Sequence, residues 1–224
     1  SDCSVNGTAS GVGISASMID LTLGIMKFPF MTRVGGGPFV TELGGVKSEE
    51  YCAATDGPLP LNRKEVEGQA YPEGDALIND ADPFLQGIGI RMAAGEYGAT
   101  TGRPRRVGWT DAVAGRYAVG VNGKQVIVLT KADSLGGRAD HFNICYGYGC
   151  RRAIVPFTRD ASRLRELEPR YRTYGGYADM RGVDRESDLP ESLMSAVGDF
   201  EKAIGARVGI ISTGPEPQHT IVRN

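Results

Sequence analysis

Histidine and cysteine are scarce in this chain and neither sign of charge is in large excess, and each of these facts removes a class of function. Four cysteines among 224 residues, Cys3, Cys52, Cys145 and Cys150, are too few and too scattered for a disulfide framework, so reduced thiols are expected. The two histidines, His141 and His219, give no convincing Ser-His-Asp arrangement. His141, Cys145 and Cys150 are near in sequence, but their spacing fits no zinc module and they sit in or beside apolar strand residues, so no metal site is assigned. A formal net charge of -2 supplies no global basic field, which argues against nucleic acid as a partner. No run approaches the roughly 20 apolar residues that span a bilayer, and no leader pattern opens the sequence, so a soluble, cytoplasmic chain without a membrane partner is expected. Asn6-Gly7-Thr8 matches a glycosylation acceptor but lacks the secretory context that would give it meaning.

Glycine is abundant instead. The 32 glycines cluster at 11–13, 35–38, 95–98 and 213–215, where apolar runs end, as in loops whose backbone must approach a ligand. With 41% hydrophobic residues, the length supports one domain with a substantial core. The apolar segment 20–34 predicts a buried strand running into a loop, preceded by a helical turn near 15–19. Residues 44–94 are polar and proline-bearing, which predicts an excursion with one short helix. Val113, Tyr117 and Val121 at fourfold spacing predict a helix over 110–121, capped by Thr110 or Asp111. The β-branched run 125–130 predicts a strand buried on both faces. Residues 141–146 and 153–157 predict an edge hairpin turning through 147–152. A helix starting near Pro190 carries Leu193, Val197, Phe200 and Ile204 on one face and stops at Gly205, and 208–212 is a further buried strand. The fold class expected is α/β: a mostly parallel sheet with flanking helices and some antiparallel additions.

Thr130-Lys131-Ala132-Asp133 lies at the carboxyl end of a predicted buried strand, where open α/β sheets bind ligands. An aspartate there can accept from the N1 and 2-amino groups of guanine while the Lys131 stem covers the base; by itself the tetrapeptide fits a surface turn with a helix cap better. A second strand ends in Ser212-Thr213-Gly214-Pro215, and neighbouring parallel strands would bring the two loops around one purine. Residues 99–106 combine Thr100 and Thr101 hydroxyls with Arg103, Arg105 and Arg106, a set suited to the oxygens of a small anion. An RNA-binding patch built on these three arginines is disfavoured by the overall charge.

The runs TRVGGGPFVTEL at 32–43, GEYGATTGRPRRVGWTDAVAGRYA at 95–118, LTKAD at 129–133, LEPRYRTYGGY at 167–177 and IISTGP at 210–215 resemble the adenylosuccinate synthetase family in order and spacing. The resemblance implies a fold related to P-loop GTPases, a homodimer, GTP-dependent joining of L-aspartate to IMP, and Mg²⁺ as cofactor. It implies that Ala99, Thr100, Thr101, Gly102, Arg103, Pro104 and Arg105 close over aspartate, with Thr101 and Arg103 on its carboxylates, Arg103 also on IMP, and Arg105 reaching the GTP side. Arg33, Val34 and Gly35 match the run beside IMP. Lys131, Ala132 and Asp133 would hold guanine, with Ser212, Thr213 and Gly214 completing the pocket.

In the reaction implied, a carboxylate base takes the N1 proton of IMP, O6 attacks the γ-phosphate, and the aspartate amine displaces phosphate at C6. The family's GDEGKGK phosphate loop and its GHT segment, which carry the base and catalytic histidine, do not occur in the 224 residues. The chain is therefore expected to match the carboxyl-terminal half of the family, with 44–94 a longer insertion, 95–118 the aspartate and IMP loop with its helix, and 125–224 the guanine-pocket portion. It is expected to be inactive alone. The alternative is a stand-alone, non-catalytic guanine-nucleotide-binding module of the same descent.

Overall fold

The computed structural model describes residues 4–53, 64–123, 125–150 and 153–223. Cys3, residues 54–63 of the expected excursion, and Arg151 and Arg152 of the expected hairpin turn lie outside the described residues. The strands are β1 (Thr22–Lys27), β2 (Phe30–Arg33), β3 (Arg106–Asp111), β4 (Gln125–Thr130), β5 (His141–Cys150), β6 (Ala153–Val155), β7 (Glu168–Gly175), β8 (Val208–Ser212) and β9 (Thr220–Val222). The helices are α1 (Val5–Val12), α2 (Gly45–Ala53), α3 (Lys64–Ala70), α4 (Pro83–Ala94), α5 (Ala112–Asn122), α6 (Ala161–Arg165) and α7 (Glu191–Ile204).

The chain is α/β, with a parallel centre and antiparallel additions. One sheet runs β1-β4-β8-β9, parallel through its first three strands and antiparallel at β9. The other runs β2-β3-β5-β6, with β7 also on β5; its β3–β5 pair is parallel and the rest antiparallel. The amphipathic helix α7 buries Leu193, Val197, Phe200 and Ile204 as its spacing predicts, and Gly205 stops it at φ 73. Each of those side chains contributes about 1.5–3 kcal/mol of hydrophobic transfer free energy. The Phe200 ring meets Phe28 at 5.6 Å between centroids, which joins α7 to the β1–β2 corner. Asp111 caps α5, accepting from the backbone amides of Val113 and Ala114, each at 3.0 Å.

Several expectations are corrected. Segment 20–34 is two strands, because Pro29 has no N–H to continue a ladder and the chain turns into the second sheet. β1 is an edge strand with Leu23 and Ile25 exposed, so it is not buried. β4 buries Ile127 and Leu129, whereas Val126 and Val128 on the opposite face are half-buried. Among the described residues of 44–94 three α-helices form rather than one short one. The longest of them, α4, has Asp82 as its cap, Pro83 in its first turn and Gly95 at φ 64 after its last. On α5, Tyr117 and Val121 stay exposed while Ala112 and Gly115 face the core. The first hairpin strand is longer than predicted, reaching Cys150, and β3 and β7 form where no strand was expected.

Candidate functional site

Because β4 and β8 are adjacent and parallel, the loops at 131–133 and 213–215 leave the same edge of the sheet side by side. A cavity of about 410 Å³ opens between them, lined among others by Asp133, Asp179, Arg181, Thr213, Gly214 and His219. Asp133 is half-buried, and no hydrogen bond reaches its carboxylate among the described residues. Thr213 is buried and its hydroxyl donates to the Val183 carbonyl at 3.0 Å, which ties the loop down. Ser212 donates to the Gly214 carbonyl at 2.9 Å. His219 Nδ1 accepts from the Glu216 amide at 3.2 Å, which leaves the ring proton on Nε2, and the ring lies so close to Gly214 that a Cβ there would come within 2.5 Å of it. Ala132 is fully buried and its carbonyl accepts from Tyr177 at 2.6 Å. Lys131 does not line the cavity. Its ammonium donates at 2.9 Å to the Ala94 carbonyl at the end of α4, from a backbone in the left-handed region at φ 64.

The second group of residues named from the sequence also converges. Arg33, Val34 and Gly35 face Thr101, Arg103, Pro104 and Arg105 across a cavity of about 540 Å³ that includes Glu49 and Cys52. Its loop is short because the amide of Gly98 bonds Arg103 O at 2.8 Å and Gly102 bonds Gly98 O at 2.9 Å, so residues 99–101 form an exposed tip. Ala99 and Thr100 sit on that tip outside the cavity lining, and Gly102 takes φ 65 at its base. Arg33 donates to the Gly36 carbonyl at 2.9 Å.

The arginine run does not form one basic face. Arg106 turns inward, nearly fully buried against Glu42 at 2.5 Å and near Glu49 at 3.5 Å. Glu49 also accepts from the Gly37 amide at 2.8 Å and from Arg165, and these bonds hold its carboxyl below the usual range. Burial of Cys52 pushes its thiol up.

Lys27 and Glu96, to which the sequence analysis assigns no role, form one ion-pair group with Arg105 of the second cavity's lining. Glu96 is 2% exposed, and its Oε2 accepts from Lys27 Nζ at 2.6 Å and from Arg105 Nη1 at 2.8 Å. Lys27 Nζ also donates to Thr32 Oγ1 at 2.7 Å. Beneath this group Glu67 is fully buried, bound to Arg91 at 2.5 Å and to the Tyr97 hydroxyl. The available signal was a lone lysine closing an apolar strand beside Phe28-Pro29-Phe30, and a glutamate at the mouth of the 95–98 glycine cluster. Asp179, Arg181 and His219 carried no such signal, since only folding brings their loops to β4.

Among the described residues no helix is long and apolar enough to cross a membrane. Magnesium, which the resemblance implies, finds no converging set of His, Cys, Asp or Glu among the described residues, so none of them is assigned as its ligand.

A family model described as Adenylosuccinate synthetase matches residues 1–221. The adenylosuccinate synthetase of Hydrogenovibrio crunogenus is 37% identical over 99% of this chain and 43% of its own length. That of Stenotrophomonas maltophilia is 34% identical, with the same 99% and 43% coverage. The solved structure of the fully ligated adenylosuccinate synthetase from Plasmodium falciparum superposes with a TM-score of 0.76 at 26% identity, covering 100% of this chain and 45% of that one. The chain thus spans about two fifths of the length of the curated relatives it matches. Matched along nearly its whole length in sequence and superposed throughout in structure, the chain belongs to the adenylosuccinate synthetase family.

Proposed function

We propose that the chain supplies the guanine pocket and the aspartate- and IMP-facing loops for GTP-dependent ligation of L-aspartate to IMP, which gives adenylosuccinate in purine biosynthesis. The observation that carries this reading is the meeting of the 131–133 and 213–215 loops around one cavity with the Asp133 carboxylate unengaged by the described residues. A carboxylate so placed accepts from the two adjacent donors of guanine, which adenine lacks. In the second cavity Thr101 and Arg103 bind the aspartate carboxylates, and Arg33, Val34 and Gly35 flank IMP; Arg105 lies on the side nearer Glu96 and Lys27 and reaches toward GTP.

These residues bind and orient, and catalysis by positioning and electrostatic stabilisation is what they contribute. None of them is assigned as the base. Mg²⁺, when bound, neutralises charge on the transferring phosphoryl group. Two copies acting as a homodimer complete the proposal.

The test is equilibrium binding of GDP and ADP to the purified chain, beside a coupled assay with IMP, GTP, Mg²⁺ and aspartate. GDP should bind in preference to ADP, and turnover should stay at background because the sequence holds neither GDEGKGK nor GHT. Equal affinity for ADP would refute the guanine pocket, and robust turnover by pure 224-residue material would refute the assignment of the base elsewhere. The same absence of both motifs favours a second reading, a guanine-nucleotide-binding module that does no chemistry. A physiological response to GTP that persists when no synthetase activity accompanies the chain would select it.

A further inference from the structure

We propose that Glu67 is a positioning residue for the 98–105 loop: through Arg91 and Tyr97 it holds both ends of that loop and so keeps Arg103 and Arg105 on the cavity that they line. The occupant of that cavity, L-aspartate, is taken from the reading above, on which this role rests and which it deepens.

The segment 44–94 brings the group together. Glu67 lies on α3 and Arg91 on α4, 24 residues apart, and the two are buried at 0% and 1% exposure. Desolvation offsets much of the attraction in such a pair, so burial of the two charges is weak evidence for a purely stabilising role. The donors that Glu67 does not occupy show what else the pair holds. Arg91 Nε at 3.1 Å and Nη2 at 2.5 Å donate to the two oxygens of Glu67, which leaves Nη1 to donate at 3.1 Å to the Arg105 carbonyl. Because the guanidinium is a rigid planar fork, the Glu67 carboxylate fixes the direction of that third bond and with it the last residue of the loop.

The same carboxylate reaches the other end. The hydroxyl of Tyr97, next to Gly98, donates to Glu67 Oε2. Arg105 N donates to Glu96 O at 3.0 Å and Tyr97 bridges Pro104, so the two ends held by Glu67 also close on each other. Helix α3 touches the loop once more at its first residue, where Lys64 N donates to the Gly102 carbonyl at 3.3 Å. Between these fixed points Arg103 and Arg105 line the 540 Å³ cavity with Arg33, whereas Glu67, Arg91 and Tyr97 are not part of its lining. These three act on an occupant only through the loop. An anion entering the cavity meets arginines whose backbone is already placed, which lowers the ordering cost of binding.

Residue-resolved amide exchange on the purified chain is the test. The amides of Gly98, Gly102 and Arg105 are each hydrogen-bonded at the loop's base. In Arg91→Lys the ammonium can pair with Glu67 but has no fork to hold the Arg105 carbonyl as well. Those three amides should then exchange about tenfold faster or more, as loss of one buried hydrogen bond implies, while amides of α7 and β8 keep their wild-type rates. Tyr97→Phe, which cuts the link at the other end, should give the same selective pattern. Lys202→Met, which removes an 82% exposed cation of α7, should change nothing. A residue that only stabilises the fold would speed the amides of α7 and β8 as well. The inference is overturned by such a general change, or by loop amides that keep wild-type rates in both variants; if Arg91→Lys loses its melting curve, Tyr97→Phe decides. Calorimetric titration of L-aspartate separates this role from the reading beneath it: wild type should bind, and Arg91→Lys should weaken binding about tenfold. Unchanged affinity in a variant whose loop has loosened overturns the inference. A wild type that takes up no L-aspartate sinks the aspartate reading alone, and the exchange pattern then decides whether Glu67 sets the loop.

Discussion

Replacing Asp133 by Asn tests the base pocket at a single atom. The Asp133 carboxylate lines the 410 Å³ cavity and accepts no hydrogen bond from the described residues, so folding does not depend on it. The variant should match wild-type stability within about 0.5 kcal/mol, the ordinary range for a substitution away from buried contacts. Binding is another matter. One charged acceptor is lost, about 1.5–3 kcal/mol, and the new amide turns a donor toward the 2-amino group of guanine, which adds a mispairing cost. The sum, about 2–4 kcal/mol, is about 30- to 1000-fold in GDP affinity. Xanthine carries a carbonyl where guanine carries the 2-amino group, so the Asn amide donates to it, and XDP should gain affinity as GDP loses it. Calorimetric titration of both nucleotides into both chains, with thermal melts as the folding control, makes the measurement. If GDP affinity is unchanged in the folded variant, Asp133 does not read guanine and residues 130–133 are only a turn.

Hydrogen exchange should separate the tip of the 98–103 loop from its base: amides at Thr100 and Thr101 should exchange within seconds and those of the fully buried β3 far more slowly; equal protection without ligand would count against a loop that orders on binding. Gly89→Ala should cost about 1–3 kcal/mol in urea unfolding, because a Cβ there would lie 2.5 Å from Ile78 N and 2.9 Å from Gly74 O, both backbone atoms; an unshifted midpoint would mean that α4 is not packed so closely on that turn. Burial raises the Asp111 carboxyl above its ordinary value, against the hydrogen bonds from Tyr148, Ala114 and Val113. The folded state thus holds its proton more tightly, and the stability this gives is present at acid pH and lost as pH rises through the folded value. Wild type should fall in stability relative to Asp111→Asn as pH rises above about 4, and a difference independent of pH would show that the buried carboxyl does not titrate in the folded chain.

Periodicity and punctuation made part of this protein legible from its residues alone. Helix α7 could be read end to end because Leu193, Val197, Phe200 and Ile204 recur at helical spacing and Gly205 supplies the left-handed stop. The β8 strand and the two loops at 131–133 and 213–215 were legible for the same kind of reason, an apolar β-branched run ending in small polar residues. Helix α4 was missed although Asp82-Pro83 and Gly95 mark both ends, because Gly87 and Gly89 dilute its apolar stripe. They serve the approach of a neighbouring turn, a requirement that no local pattern expresses.

Local sequence thus determined which segments form α7 and β8, that small polar loops follow β4 and β8, and the family that the motifs spell. Only the tertiary structure decided that Arg106 turns inward to Glu42 while Arg105 stays reachable, since Arg106 opens the fully buried β3 and Arg105 belongs to the loop before it. It alone decided that β1 lies at an edge, and that Lys27 and Glu96, 69 residues apart, share one hydrogen bond. Such pairings are set by the order of strands in the sheets, a long-range property that no window of neighbouring residues carries.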